Sequence, residues 1–304
     1  MRGQGGAGGQ GGVCARHDGL LTAGRHAPVP LECRPAGRAG VAAWTLPRLR
    51  PGRASFPYPP KGEPVSTPQA AAPPRRSDAG RVRLQQRDID GLLLVAEHYA
   101  APYDLLCAAL DVTPPRLRGI TARWRAAGLA ATGTLGPGPA WCWLTAAGMA
   151  ASGHRWPAGE PSLARLAHIR AVLAARISLQ ADAGWAQAGA WWHAERRIRA
   201  ALPASAARPH IADAEIHWPS APPGPHAGQV WAVEVELTAK TAARTARIMA
   251  RLLARPGYAR VIYLTGPAAR PVVTATAARL PDSQRSRVDV RDLPTTAFLP
   301  PSRP

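Results

Sequence analysis

Lysine is nearly absent from this chain of 304 residues, where Lys61 and Lys240 are the only two. Acids are also scarce, with 19 Asp and Glu against 38 Lys and Arg, so the formal net charge is +19. The positive charge is thus almost entirely arginine. A chain heavy in Ala, Arg, Gly and Pro with so little lysine points to GC-rich coding bias, which swaps Lys for Arg without changing the sign. An excess of positive charge attracts polyanions whatever its origin. No apolar run approaches the roughly 18 residues of a membrane span, which excludes an integral membrane helix. The first residues carry no apolar stretch that could act as a signal peptide, so a cytoplasmic location and no membrane partner are expected. Cys14, Cys33, Cys107 and Cys142 are scattered, without the spacing of a disulfide framework or a zinc ribbon. The nine histidines form no HxH or HExxH pattern, and His210 and His217 read as surface residues flanking a strand. A Gly-rich phosphate loop with lysine is missing, which excludes a nucleotide triphosphate cofactor.

What is present divides the chain. Gly and Pro make up about a third of residues 1–80, with no sustained period of 2 or 3.6. Residues 1–84 are expected to be a disordered basic tail, unable to bury enough apolar surface to offset its ordering entropy. The alternative is a start codon assigned too far upstream. The segment 1–80 holds 11 Lys and Arg against 4 acids, an excess of 7, so about 12 of the 19 net charges lie beyond it. Residues 85–153 form a first domain, 154–161 a linker, 162–298 a second domain and 299–304 a short disordered tail.

In the first domain, Asp88 is expected to cap a helix running through Ala101, with a second helix over 102–110. Thr113 followed by Pro114 starts a third, ending at Gly128. Two short strands, 129–135 and 140–144, flank the turn Gly136-Pro137-Gly138-Pro139. Three helices and a hairpin make a winged helix-turn-helix pattern. On the third helix Leu117, Ile120 and Trp124 share an apolar face, while Arg116, Arg118, Arg123 and Arg125 flank it. The outward residues Gly119, Ala122 and Ala126 are small. That arrangement suits close approach to duplex DNA through phosphates, with little base reading.

The second domain is expected to begin with a helix from Ser162, then a second one to Leu202 that contains Trp191-Trp192-His193-Ala194-Glu195. Strands follow at 211–218, 229–237, 260–264 and 288–292, with helices at 240–254 and 268–280. This order predicts an α/β (α+β) mixed sheet flanked by helices. Glu234 and Glu236 lie two apart in the apolar strand Trp231-Ala-Val-Glu-Val-Glu-Leu, so both project from one face. Asp213 and Glu215 repeat the spacing on the preceding strand. Acids in such a strand are costly unless paired or metal-bound. Asp213, Glu234 and Glu236 are therefore the candidate ligands of Mg²⁺, which would activate water for phosphodiester hydrolysis. Lys240 would stabilise the anionic transition state. Arg244, Arg247 and Arg251 form a stripe on the next helix that would track a DNA backbone.

Leu144-Thr145 with Gly148, Trp192 to Ile198 with Glu195, Ala212-Asp213-Ala-Glu-Ile, and Glu234-Val-Glu236 form a set of short motifs. Through them the region from Asp88 to Phe298 resembles the replication-relaxation family of actinobacterial plasmids and integrative elements. The resemblance implies a winged helix joined to a restriction-endonuclease-like domain of the PD-(D/E)xK superfamily, with Glu195 adding a helix-borne carboxylate to the site. Two departures stand out. Ala212 replaces the superfamily's proline, and Glu236 occupies its lysine position, so Lys240 would be a migrated lysine. The function implied is a DNA-binding, Mg²⁺-dependent deoxyribonuclease acting in replication or mobilisation, with a homodimer or a replication or transfer complex as further partners. The alternatives are a non-catalytic transcription or copy-number regulator with a degenerate nuclease fold, its glutamates paired to Arg244 and Arg247, and an adaptor without DNA contact.

Overall fold

The structure is a computed structural model that describes residues 84–298, apart from 183–184, 186–187, 204–209 and 222–223. The expectations for 1–83 and 299–304 lie outside the described residues. The chain is mixed α/β. Its first part runs α1 (Gln86–Glu97), β1 (Ala100–Pro102), α2 (Tyr103–Leu110), α3 (Pro114–Ala126), β2 (Ala130–Gly133), β3 (Trp141–Leu144) and α4 (Ala146–Ala151). The three strands make an antiparallel sheet in the order β1-β3-β2. Leu117, Ile120 and Trp124 are buried on α3, as the helical spacing predicts.

Two local readings change. α1 starts at Gln86 and ends at Glu97, four residues before Ala101, and Asp88 sits in its first turn instead of at its cap. The Asp88 carboxylate reaches back to the Gln85 N–H at 2.9 Å and also accepts from Arg123 and Trp124 of α3. A short strand, β1, then intervenes before α2, because β3 offers it a ladder that no local pattern announces.

The second part runs α5 (Leu166–Gln180), β4 (Trp191–Ala194), α6 (Glu195–Ala201), β5 (Ala214–His217), β6 (Val230–Glu236), α7 (Ala242–Leu253), β7 (Tyr258–Thr265), α8 (Arg270–Ala278), α9 (Asp282–Arg285) and β8 (Val288–Asp292). Five strands form one sheet in sequential order, β4-β5-β6-β7-β8. The β4-β5 and β5-β6 pairs are antiparallel, whereas β6-β7 and β7-β8 are parallel. Residues 191–194, expected to be helical, are instead the edge strand β4. Trp191 and Trp192 favour a pleated surface, and the register Trp192↔Ile216 gives them a partner.

Period-two alternation sorts the sheet into two faces. Ile216, Val233, Val235, Ile262 and Leu264 pack with Ala171, Val172 and Leu173 of α5. Ala232, Val261 and Tyr263 pack with Ile248, Met249 and Leu252 of α7 and Val273 of α8. Two successive crossovers advancing in one direction bring α7 and α8 to the same face. Glu234 and Glu236 follow the Ala232 side of β6, and both are buried.

The expected linker 154–161 is tied down. Gly159 N–H donates to Leu144 O at 3.0 Å, and the buried Arg196 guanidinium bonds Pro157 O. One apolar cluster extends from Leu92 and Trp124 through α5 to Val233 and Leu264, so the two parts share a core.

Candidate active-site groove

A groove of about 550 Å³ opens at the carboxyl end of β6, where the sheet changes from antiparallel to parallel pairing. Its walls include His168 of α5, Glu195 and Arg199 of α6, His210, Asp213, Glu234, Glu236 and Lys240. The sequence-nominated Asp213, Glu234, Glu236, Lys240 and Glu195 therefore all line one groove.

Each side chain has its own neighbour. Asp213 immediately precedes β5. Its Oδ2 accepts the Val235 N–H at 2.8 Å, and its Oδ1 lies 2.9 Å from His168 Nε2. Its backbone carbonyl accepts the Glu195 N–H at 2.9 Å, which docks the start of α6 against β5. Glu234 faces His210 Nε2 at 3.1 and 3.2 Å. Glu236 pairs with Lys240. Glu195 is held by Arg199 at 2.5 Å and Arg165 at 3.2 Å, and Tyr99 Oη approaches it at 3.4 Å. Lys240 lies before α7, not on it, because Thr241 is the cap and accepts the Arg244 N–H at 3.3 Å.

The electrostatics follow from burial. Desolvation, and then the Asp213 carboxylate, push Glu234 up to about 7, against the pull of His210. The hydrogen bond to Glu234 raises His210 above the usual histidine value. Burial opposes protonation of His168, yet the hydrogen bond and charge of Asp213 raise it. Tyr263, opposite Glu234 on β7, has a buried hydroxyl with no hydrogen-bond partner among the described residues. Its burial and the nearby carboxylates hold it protonated.

The nominated metal set does not gather at one point. Among the described residues, the one group of three His, Cys, Asp or Glu with donor atoms mutually within 4.8 Å is His193, Glu215 and His217. Glu236 is drawn away by Lys240, and Asp213 is held by His168 and a backbone amide. Glu215, expected to join the Asp213 cluster, turns instead to His217 at 2.9 Å and to the Tyr258 hydroxyl at 2.6 Å. Burial disfavours its ionised form, but those two hydrogen bonds outweigh that and bring its carboxyl below the usual range. His168 and His210 were missed as site residues, since nothing in their sequence spacing relates them to Asp213 or Glu234.

The nominated arginines are distributed on two helices. Arg116, Arg118 and Arg125 are exposed on α3, around the exposed Gly119, Ala122 and Ala126. Arg123 is engaged by Asp88 at 2.9 Å. Arg244, Arg247 and Arg251 are exposed along α7, opposite the buried Ile248, Met249 and Leu252. They do not pair with Glu234 or Glu236, whose partners are His210 and Lys240.

No protein-family model, curated protein or solved structure matches this chain.

Proposed function

We propose that this chain binds double-stranded DNA and hydrolyses phosphodiester bonds at the Asp213–Glu234–Glu236–Lys240 groove with Mg²⁺. The observation that carries this reading is the convergence of residues from four separate segments, 195, 213, 234–236 and 240, on one groove. On this reading the segment 86–151 is a winged helix-turn-helix, with α3 against DNA and β2-β3 as the wing. The five-stranded part is a variant of the restriction-endonuclease-like domain, and the chain is a replication-relaxation protein of a plasmid or integrative element.

The donor chemistry fits a hard divalent cation. Asp213 and Glu234 line the same groove and both offer oxygen, which Mg²⁺ prefers. Asp213 and Glu234 would hold Mg²⁺, which would supply an activated water and neutralise developing charge, while Glu236 stays paired with Lys240. The chain's own groups do the positioning. Val235 N–H and His168 fix the Asp213 carboxylate. His210 Nε2 faces the Glu234 carboxylate at 3.1 Å. Lys240, which pairs with Glu236 at the groove, would meet a phosphate oxygen. The arginine stripe of α7 attracts the DNA backbone.

A second reading is a DNA-binding regulator without catalysis. It is favoured by one observation, that every acid of the groove already has a protein partner. Incubation with supercoiled plasmid and Mg²⁺ or Mn²⁺ separates the two. Nicking by wild type, abolished in Asp213→Ala and Glu234→Ala, is the expected result. Equal nicking by all three removes the assignment. Absence of nicking together with a salt-sensitive shift of duplex DNA leaves the regulator.

A further inference from the structure

We propose that His193, Glu215 and His217 form a zinc site, distinct from the groove, with two imidazole nitrogens and one carboxylate oxygen as ligands and a fourth position open to solvent. Their donor atoms lie within 4.8 Å of one another. The sheet register brings this about. His193 of β4 stands directly opposite Glu215 of β5, and His217 follows two residues later on the same face. Two adjacent strands thus deliver all three donors without any loop.

The spacing fits a tetrahedral ion. His217 Nε2 and Glu215 Oε2 are 2.9 Å apart. Ligands about 2.05 Å from a tetrahedral zinc stand about 3.3 Å apart, so this pair needs to open by only ~0.4 Å, and the pairs with His193 close from separations within 4.8 Å. The His193 and His217 ring centroids are 4.1 Å apart. The outer support is also present. The Tyr258 hydroxyl donates to Glu215 Oε1 at 2.6 Å, which leaves Oε2 facing the histidines. Trp191, 44% exposed, stacks on His217 at 5.6 Å and donates to His193 Nε2 at 3.1 Å. Solvent can replace that indole contact when the nitrogen takes a metal. An imidazole-rich N₂O set selects zinc over Mg²⁺, and three protein ligands with an open position are the pattern of a reactive zinc. His217 is four residues beyond Asp213, about 13 Å along the strand, so the two centres can be tested separately.

The test is zinc titration of the EDTA-treated, dialysed full-length chain, followed by calorimetry and metal analysis. One zinc per chain with micromolar or tighter affinity is expected. His193→Ala and His217→Ala should each weaken binding at least about 100-fold. Tyr258→Phe should weaken it about 10- to 100-fold. Asp213→Ala should leave it unchanged. Cobalt substituted into the wild-type chain should give the visible bands of a tetrahedral nitrogen and oxygen site, without thiolate charge transfer. This last measurement needs no variant, so it stands even if a histidine variant fails to fold. Millimolar affinity in wild type, full binding retained by both histidine variants, or a six-coordinate cobalt spectrum would overturn the proposal.

Discussion

Asp88 is 1% exposed and accepts three hydrogen bonds, from Gln85 N–H, Trp124 Nε1 and the Arg123 guanidinium, each at 2.9 Å. It joins the start of α1 to the far end of α3. Removing a buried acid leaves those donors unpaired, so Asp88→Ala should cost about 3 kcal/mol in urea unfolding. An exposed cap would cost nearer ~1 kcal/mol, and a measured loss of that size would show that Asp88 does not tie the two helices together. Two glycines make a contrasting pair. A Cβ at Gly148 would stand 1.8 Å from the backbone oxygen of Leu129, whereas one at Gly119 meets nothing within 4 Å. Gly148→Ala should therefore destabilise by ~3 kcal/mol or more, since backbone cannot yield cheaply. Gly119→Ala should stabilise α3 by about 0.5–1 kcal/mol. Thermal unfolding of the two variants should shift in opposite directions. The sequence suggests that Asp88 is special, but not why. Local pattern offers a cap, while the deciding partner, Trp124, lies 36 residues away.

At the scale of elements, α7 is the clearest case of a helix legible from its sequence. Its buried face of Thr245, Ile248, Met249, Leu252 and Leu253 and its exposed arginines follow one period. On the proposed DNA-binding reading, replacing Arg244, Arg247 and Arg251 together by alanine should lower the salt dependence of duplex binding by about 2.7 in log–log slope, at ~0.9 for each phosphate no longer neutralised. Stability should change by no more than about 0.5 kcal/mol per position, because these side chains are exposed. An unchanged slope would exclude this helix from the DNA track. The strand β4 shows the opposite behaviour. Trp191-Trp192-His193-Ala194 runs directly into the helical Glu195-Arg-Arg-Ile-Arg segment, so a helical period continues through it. Its strand character comes from pairing with β5, a separate segment further along the chain. Both the groove and the histidine cluster depend on that pairing, which sets Glu195 beside Asp213 and His193 beside Glu215.

Across the whole molecule, the junction between the helical part and the five-stranded sheet is built of ion pairs and a shared apolar cluster. Arg176 and Arg197 meet the buried Glu97 at 2.7 and 3.3 Å, and the buried Arg170 meets Asp104 at 2.5 Å. His98 lies in the same junction, 3% exposed, against Arg176 at 3.2 Å and stacked near Trp192. Burial, reinforced by the Arg176 charge, holds its pKa well below the usual value, so it stays neutral. The unfolded chain binds that proton near pH ~6.5, and the folded chain does not. Stability should therefore fall as the pH drops below about 6.5, by up to ~1.4 kcal/mol per pH unit for this one proton. His98→Gln should reduce the slope between about pH 6.5 and 5 by about one proton, and an unaltered slope would show that His98 is not held neutral. Because the apolar cluster is continuous, the described parts should melt in one transition at neutral pH by calorimetry, with no separate event for residues 162–298.

The sequence by itself determined the alternation of strands and helices beyond residue 211, the apolar face of α3, and the carboxylates, lysine and arginines that nominate a site. Those features depend on local periodicity and on the cost of placing acids in an apolar strand, both of which are carried by neighbouring residues. Only the tertiary structure decided that 191–194 is a strand, that His168 and His210 attend Asp213 and Glu234, and that 154–161 is pinned by Arg196. It also decided that two histidines and Glu215 meet on one face. Each of these rests on strand register or packing between residues far apart in the chain. A shift of one residue in register would turn every strand side chain among them to the other face of the sheet.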